Sequence, residues 1–440
     1  MNLFVKKIFG GFQNTQKFET IEKQLIADYH RYKKVESSDE LKEYHRLFEK
    51  VKSASFKEIK KTLQNRKYKD TQESRDMHAF HRYHNNSKIK LYYDTLKSRA
   101  LADFLAFKES DEYIALGDKK TVKKSPKLKA LKQYEKSTEY RNYLRFHESY
   151  PIGEYERLKD KILTPEFRRA NAFWADNKRW LKTEEYDLEQ QYFKLADSAD
   201  IKFFLATDPK CFKWVEKTEL AFREDFTWKN IEESKWKAEF YYANPNLKSV
   251  HSFLNERQAN VGGANVAGGG KGLTIATRHQ KVKSAAWHTA KGFVEKEFDF
   301  TSDVINGHDV FEQKGGFIRA KIRFNGAPKH AFWLSMGEKT PHINVMLGKG
   351  KKIEVGVYDK NGKYYSSKIG GINPAQYHIY SLYWTDKELV WLINNVVVFR
   401  TSNAVPKEKL FPVFNSFIPA KKRDGEGALQ VKWLEFYEVK

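Results

Sequence analysis

The chain predicts two architectures in tandem: an all-α helical array over 1–218, then an antiparallel β-sandwich of jelly-roll type over 219–440. Three observations predict this. The first part has only four of the 24 glycines, at positions 10, 11, 117 and 153, and runs in long mixed-charge stretches. From about residue 219, glycine, asparagine and alternating apolar residues take over. Turn sequences there separate short apolar runs, as two packed sheets require. With 440 residues, each part is long enough for its own core.

A loose pattern punctuates the helical part. A Ser or Thr follows an apolar pair, and an aromatic stands three positions on. Ser53 with Phe56, Ser110 with Tyr113, Ser137 with Tyr140 and Thr164-Pro165 with Phe167 all fit, as does Thr207-Asp208-Pro209 with Phe212. A hydroxyl or carboxylate satisfies the free N–H groups of a first turn, and proline is tolerated there. The aromatic then packs on the preceding helix. The spacing predicts capped short helices, read as degenerate repeats of about 25–45 residues. The aromatics read as core rather than as base-stacking platforms.

In the second part Val355 to Tyr358, Tyr377 to Leu382 and Val390 to Phe399 read as strands. Asp359-Lys360-Asn361-Gly362-Lys363 and Asn394-Asn395 read as tight turns, since Asn and Gly accept positive φ. Gly262-Gly263 and Gly268-Gly269-Gly270 read as flexible loop.

Composition narrows the function classes. Aromatics at 15% and hydrophobics at 40% exclude a disordered chain. The single cysteine, Cys211, excludes an internal disulfide framework and reads as a buried structural thiol. No apolar leader follows Met1 and no run reaches the ~18 residues of a membrane span. The reading is a cytosolic protein, or one exported without a cleaved leader. The net charge of +23 raises nucleic acid as a ligand. Yet residues 1–220 hold 47 Lys+Arg against 35 Asp+Glu (+12), and 221–440 hold 33 against 22 (+11). An excess spread this evenly, densest over 51–100 and Lys119 to Lys132, describes a solvated surface rather than a nucleic-acid face.

Along the second part stand, in order, Phe222-Arg223-Glu224-Asp225-Phe226 with Ser234-Lys235-Trp236, Asn255-Glu256-Arg257-Gln258, Leu273 to Ala276, Gly316 to Ile322, Ala331 to Leu334, Tyr377 to Tyr380, Trp391 to Asn395 and Val431 to Tyr437. This ordered set resembles glycoside hydrolase family 16, the laminarinase and lichenase type of the concanavalin A-like lectin/glucanase sandwiches. The first of these segments is similar to the family's opening strand, and the second to its Asn-Glu-x-Gln segment. The resemblance covers about 220–440 and implies a glucan-shaped groove.

The chemistry departs from the family. Its members carry Glu-x-Asp-x-Glu, or the same with one extra residue before the last Glu. Here the first Glu is His342, the Asp is Asn344, and the last Glu is Met346 or, with the extra residue, Leu347. Hydrolysis of this kind uses two carboxyls. All are replaced, and Glu338 lies before the strand. The resemblance therefore implies a pseudoenzyme. His342 remains a candidate base near neutral pH.

Sugar sites combine aromatic faces with amides and charged donors. The carbohydrate-binding candidates are Trp287, Trp333, His342, Asn344, Asn255, Arg257, Phe414 and Asn415. Alternation puts His342 and Asn344 on one face, where they bind a ligand or form a self-satisfied polar pair. Trp384 and Trp391 read as core or far sheet. Family members often carry a structural calcium, but nothing here picks out its ligands, so no cofactor or metal is expected.

The reading is a non-catalytic carbohydrate-binding protein. The sandwich takes a polysaccharide or glycan, and the helical part docks a protein partner, as a virion-associated or leaderless-export component would. The alternatives are an atypical hydrolase acting on β-glucan and a purely structural assembly protein.

Overall fold

The computed structural model describes residues 12, 14–115, 126–241, 250–288, 290–337, 340–421 and 424–440. They form two compact units, Met1–Lys33 with Thr207–Lys440, and Lys34–Ala206. The sequence reading divides the chain once, at 218/219. The compact unit that contains the sandwich also takes in the first helix as far as Lys33, and residues 207–218.

Helix α1 is Thr15–Glu36. The unit Lys34–Ala206 holds α2 (Asp39–Lys52), α3 (Ala54–Asn65), α4 (Gln72–His84), α5 (Ser87–Leu96), α6 (Arg99–Lys108), α7 (Asp111–Ala115), α8 (Pro126–Glu135), α9 (Thr138–Phe146), α10 (Tyr150–Leu163), α11 (Pro165–Ala175), α12 (Glu184–Ala196) and α13 (Ala199–Ala206). A final short helix, α14 (Lys213–Lys217), belongs with the sandwich.

Four of the five expected caps form at the expected spacing; at Pro209–Phe212 the Asp208 carboxylate instead accepts from the Lys210 N–H at 2.9 Å. The backbone N–H of Phe56 donates to Ser53, Tyr113 to Ser110, Tyr140 to Ser137 and Phe167 to Thr164, at 3.1–3.3 Å. Each hydroxyl also donates backward where the geometry allows, as Ser53 does to the Lys50 carbonyl at 2.7 Å. One side chain thus closes one helix and opens the next. The capped aromatics are core: Phe56, Tyr140 and Phe167 are all buried. The helices pair out and back, α2 on α12, α4 on α10 and α5 on α9. Two cores result, one around Leu47, Trp180 and Tyr192, the other around Tyr92, Phe104 and Tyr143.

The other unit holds β1 (Thr218–Glu224), β2 (Ser252–Phe253), β3 (Gln258–Asn260), β4 (Val266–Ala267), β5 (Leu273–His288), β6 (Gly292–Ser302), β7 (Val304–Asn306), β8 (Gly316–Gly326), β9 (Lys329–Ser335), β10 (His342–Lys349), β11 (Lys352–Tyr358), β12 (Tyr364–Ile369), β13 (His378–Trp384), β14 (Leu389–Ile393), β15 (Val396–Thr401), β16 (Phe411–Phe417) and β17 (Gly427–Val439). One sheet has the order β15-β14-β13-β8-β17-β5-β6-β3, with β1, β2 and β4 at its margins; the other is β12-β11-β10-β9-β16-β7. All pairings are antiparallel except β2 with β5 and β3 with β6. Asn394 and Asn395 adopt φ of 47° and 65°, which turns β14 into β15.

Alternating apolar residues from both sheets fill the sandwich. Ile318, Ile322, Leu382, Trp384 and Trp391 meet Phe332, Ile343, Val355 and Phe414. Trp384 and Trp391 are therefore core.

Two expectations are corrected here. Cys211 is exposed, in the short turn Pro209–Phe212, because Phe212 takes the buried position. The Gly262-Gly263 loop is pinned rather than flexible: the buried Asp303 carboxylate accepts the N–H groups of Val261 and Asn265 at 2.9 and 2.8 Å.

Helix α1 lies on the outer face of the larger sheet. Buried Arg319 of β8 donates to Glu22 at 2.6 Å, Glu435 at 2.7 Å and the Tyr437 hydroxyl at 2.8 Å. Lys321 pairs with Glu19 at 2.8 Å. Asn394 donates to Thr15 at 3.0 Å.

Candidate functional site

Strand β10 carries a β-bulge that decides which of its residues face outward. Asn344 pairs with Trp333 on β9 and Gly356 on β11, while Leu347 pairs with Ala331 and Glu354. Val345 and Met346 lie between and are both buried in the core. A bulge shifts side-chain parity by one. The outward positions are therefore His342, Asn344, Leu347 and Lys349. The structure excludes Met346 from this face, so the extra-residue spacing is the one this strand adopts.

Register lays the outer face out in rungs across the smaller sheet. One rung is Phe411, Ser335, His342, Tyr358 and Tyr364. The next is Val413, Trp333, Asn344, Gly356 and Ser366. Then come Asn415, Ala331, Leu347, Glu354 and Lys368, and last Phe417, Lys329, Lys349 and Lys352. Glu354 is the one carboxylate among these outward strand residues.

The first two rungs form a connected polar and aromatic set. The His342 ring lies flat on Trp333, centroids 4.3 Å apart and planes 11° apart. His342 Nε2–H donates to Asn344 Oδ1 at 2.9 Å, and Asn344 Nδ2 donates to the Tyr364 hydroxyl at 3.0 Å. Tyr364 stacks on Tyr358 at 4.1 Å. Trp333 Nε1–H donates to Asn415 Oδ1 at 3.1 Å. From the core side, Trp391 Nε1–H donates to the Asn344 carbonyl at 2.9 Å.

Burial pushes the His342 imidazole down to about 4, only partly opposed by Asn344. Near neutral pH the ring is uncharged, Nε2 is a donor, and Nδ1 is left as a weak base. The ring is thus in its base form near neutral pH, but a weaker base than a free imidazole. Burial raises the Tyr364 phenol, so its hydroxyl stays protonated.

The other candidates fall elsewhere. Phe414 points into the core, stacked on Phe332 at 4.7 Å. Its neighbour Asn415 faces outward, because β16 pairs with β9 without a bulge and its side chains alternate. Trp287 sits near the far end of the long hairpin β5–β6, against Phe293 at 5.0 Å. Arg257 is engaged by Asp299 and lies over the Phe300 ring. Asn255 is exposed in a turn, its carbonyl accepting from Ala420. Glu338 lies outside the described residues. Trp333, His342, Asn344 and Asn415 are thus the candidates brought together.

Tyr358, Tyr364 and Glu354 join them without having been anticipated. A signal existed: the Asn361-Gly362 turn centres a hairpin whose symmetry places Tyr358 opposite Tyr364.

Among the described residues, no group of three or more His, Cys, Asp or Glu could hold a metal ion. A cavity of about 470 Å³ between α6 and α8, lined by Phe104, Phe107, Leu131 and Tyr134, belongs to the helical unit and is mainly apolar.

No family model and no curated protein matches the chain. Solved structures do. The catalytic domain of an endo-1,3-β-glucanase (laminarinase) from Thermotoga petrophila RKU-1 is 17% identical over 51% of this chain and 98% of its own, with a TM-score of 0.41. The laminarinase from Rhodothermus marinus is 15% identical over 51% and 98%, also at 0.41. The endo-β-1,3-glucanase from Pyrococcus furiosus is 14% identical over 51% and 95%, at 0.40.

Proposed function

We propose that the outer face of the smaller sheet is a saccharide-binding surface without hydrolytic chemistry. One observation carries this reading. The outward positions His342, Asn344 and Leu347 hold no carboxylate, and the first two are tied into the chain His342–Asn344–Tyr364. An imidazole with its pKa near 4 is protonated in about one molecule in a thousand at pH 7. It supplies neither the proton donor nor the nucleophile that glycosidic cleavage uses. What remains suits hydroxyl recognition: the Tyr364 hydroxyl, the second Asn344 N–H, His342 Nδ1 and aromatic edges. The helical unit, with Ile114, Leu144 and Tyr150 exposed, is proposed to dock a protein partner.

The test is a glycan array with the full chain, read beside reducing-sugar release. Binding without turnover is expected, with Tyr364→Phe weakening it about three- to tenfold by loss of one hydrogen bond. A second reading, an atypical hydrolase, rests on Glu354, which faces outward directly opposite Leu347. It requires turnover that disappears in Glu354→Gln, and that result would overturn the first reading.

A further inference from the structure

We propose that the lysine rung Lys329–Lys349–Lys352, with Lys368 beside it, is a subsite for an anionic substituent, a sulfate ester or a carboxylate, of the bound saccharide. This deepens the saccharide reading and rests on it.

Register places Lys329 directly opposite Lys349, and Lys349 directly opposite Lys352, on three successive strands. Neighbouring strands lie about 4.8 Å apart, and like charges directly opposite one another destabilise a sheet. Three in a row is an arrangement that a bound anion relieves. Lys368 stands one rung further, opposite Glu354. On these two rungs four lysines face one carboxylate, a net of 4 − 1 = +3. Among the described residues, no ion pair joins any of these four lysines to an Asp or Glu.

Lys329 is half-buried, with its ammonium 5.5 Å from the Phe417 ring centroid. Burial, then Lys349, lowers its pKa, against Glu354 and Glu256. Glu256 compensates weakly, because burial raises its own carboxyl to about 7 and Lys296 shares it. The rung therefore holds charge that the protein leaves incompletely neutralised. It lies four residues along β9 from Trp333, about 13 Å at strand rise. An oligosaccharide spans that distance and a monosaccharide does not.

Affinity electrophoresis of the full chain tests this, using a neutral β-1,3-glucan, a sulfated galactan and a polyuronate, with single-stranded nucleic acid as competitor. Lys349→Glu/Lys352→Glu is compared with Lys57→Glu/Lys61→Glu on α3, which changes net charge equally. The sulfated or the uronate polymer should bind at least about tenfold more tightly than the neutral one, and whichever binds identifies the anion. The rung variant should lose about tenfold on that polymer alone, and the control variant nothing. Equal losses from both variants, or competition by nucleic acid as strong as by the saccharide, would show general charge attraction and overturn the subsite. Neutral glucan bound as tightly, with no effect of the rung variant, overturns the subsite and leaves the saccharide reading standing. Absence of binding to every saccharide by folded protein overturns both.

Discussion

His330 and His342 show how a residue type fails to fix its chemistry. Both imidazoles are pushed by burial down to about 4. His330 is fully enclosed, with Nε2–H donating to the Asn325 carbonyl at 2.9 Å and Nδ1 accepting from Ser416 at 2.8 Å. Neither ring can gain a proton without giving up an acceptor role or its apolar surroundings. The unfolded chain binds these protons near pH 6.5 and the folded chain near pH 4, so the unfolded state holds more protons in between. The stability this supplies is complete above pH 6.5, declines as pH falls, and is lost by about pH 4. Each ring contributes at most roughly 3 kcal/mol over that window. Urea unfolding should show the sandwich weakening from pH 7 to 4, with a flatter profile in His330→Gln. An unchanged slope in that variant would mean the ring is not buried neutral.

Elements carry what residues cannot. The bulge in β10 makes Met346 core and Leu347 outward, although sequence spacing left both open. Met346→Gln should therefore cost about 2–4 kcal/mol, a buried amide without partners in a packed core. Leu347→Gln should cost less than about 1 kcal/mol. Denaturant midpoints check this, and a reversed order would place the bulge elsewhere. The same contrast marks what was legible in the sequence. Helix starts were legible because Ser53, Ser137 and Thr164 each perform a local job within three residues. His342 and Asn344 shared a face because simple alternation holds up to Asn344. Phe414 has the composition of a sugar-site aromatic, but strand parity turns it away from Asn415 and into the core. Helix α1 was not legible as part of the sandwich. Its anchors Glu19 and Glu22 are ordinary acidic residues until β8, some 300 positions later, sets Lys321 and Arg319 against them.

At the scale of the whole molecule, two compact units with separate cores predict separate unfolding. Calorimetry of the full chain should resolve two transitions, one for Lys34–Ala206 and one for the unit containing the sandwich. Glu22→Gln offers the means to tell them apart. Arg319 is 4% exposed and shares its charge between Glu22 and Glu435. Removing one carboxylate leaves a buried guanidinium partly compensated, which costs about 1–3 kcal/mol. For a unit of this size that amounts to a downward shift of several degrees in its transition alone. If Glu22→Gln instead moves both transitions together, or if one endotherm accounts for the whole chain, the units are not thermodynamically separate.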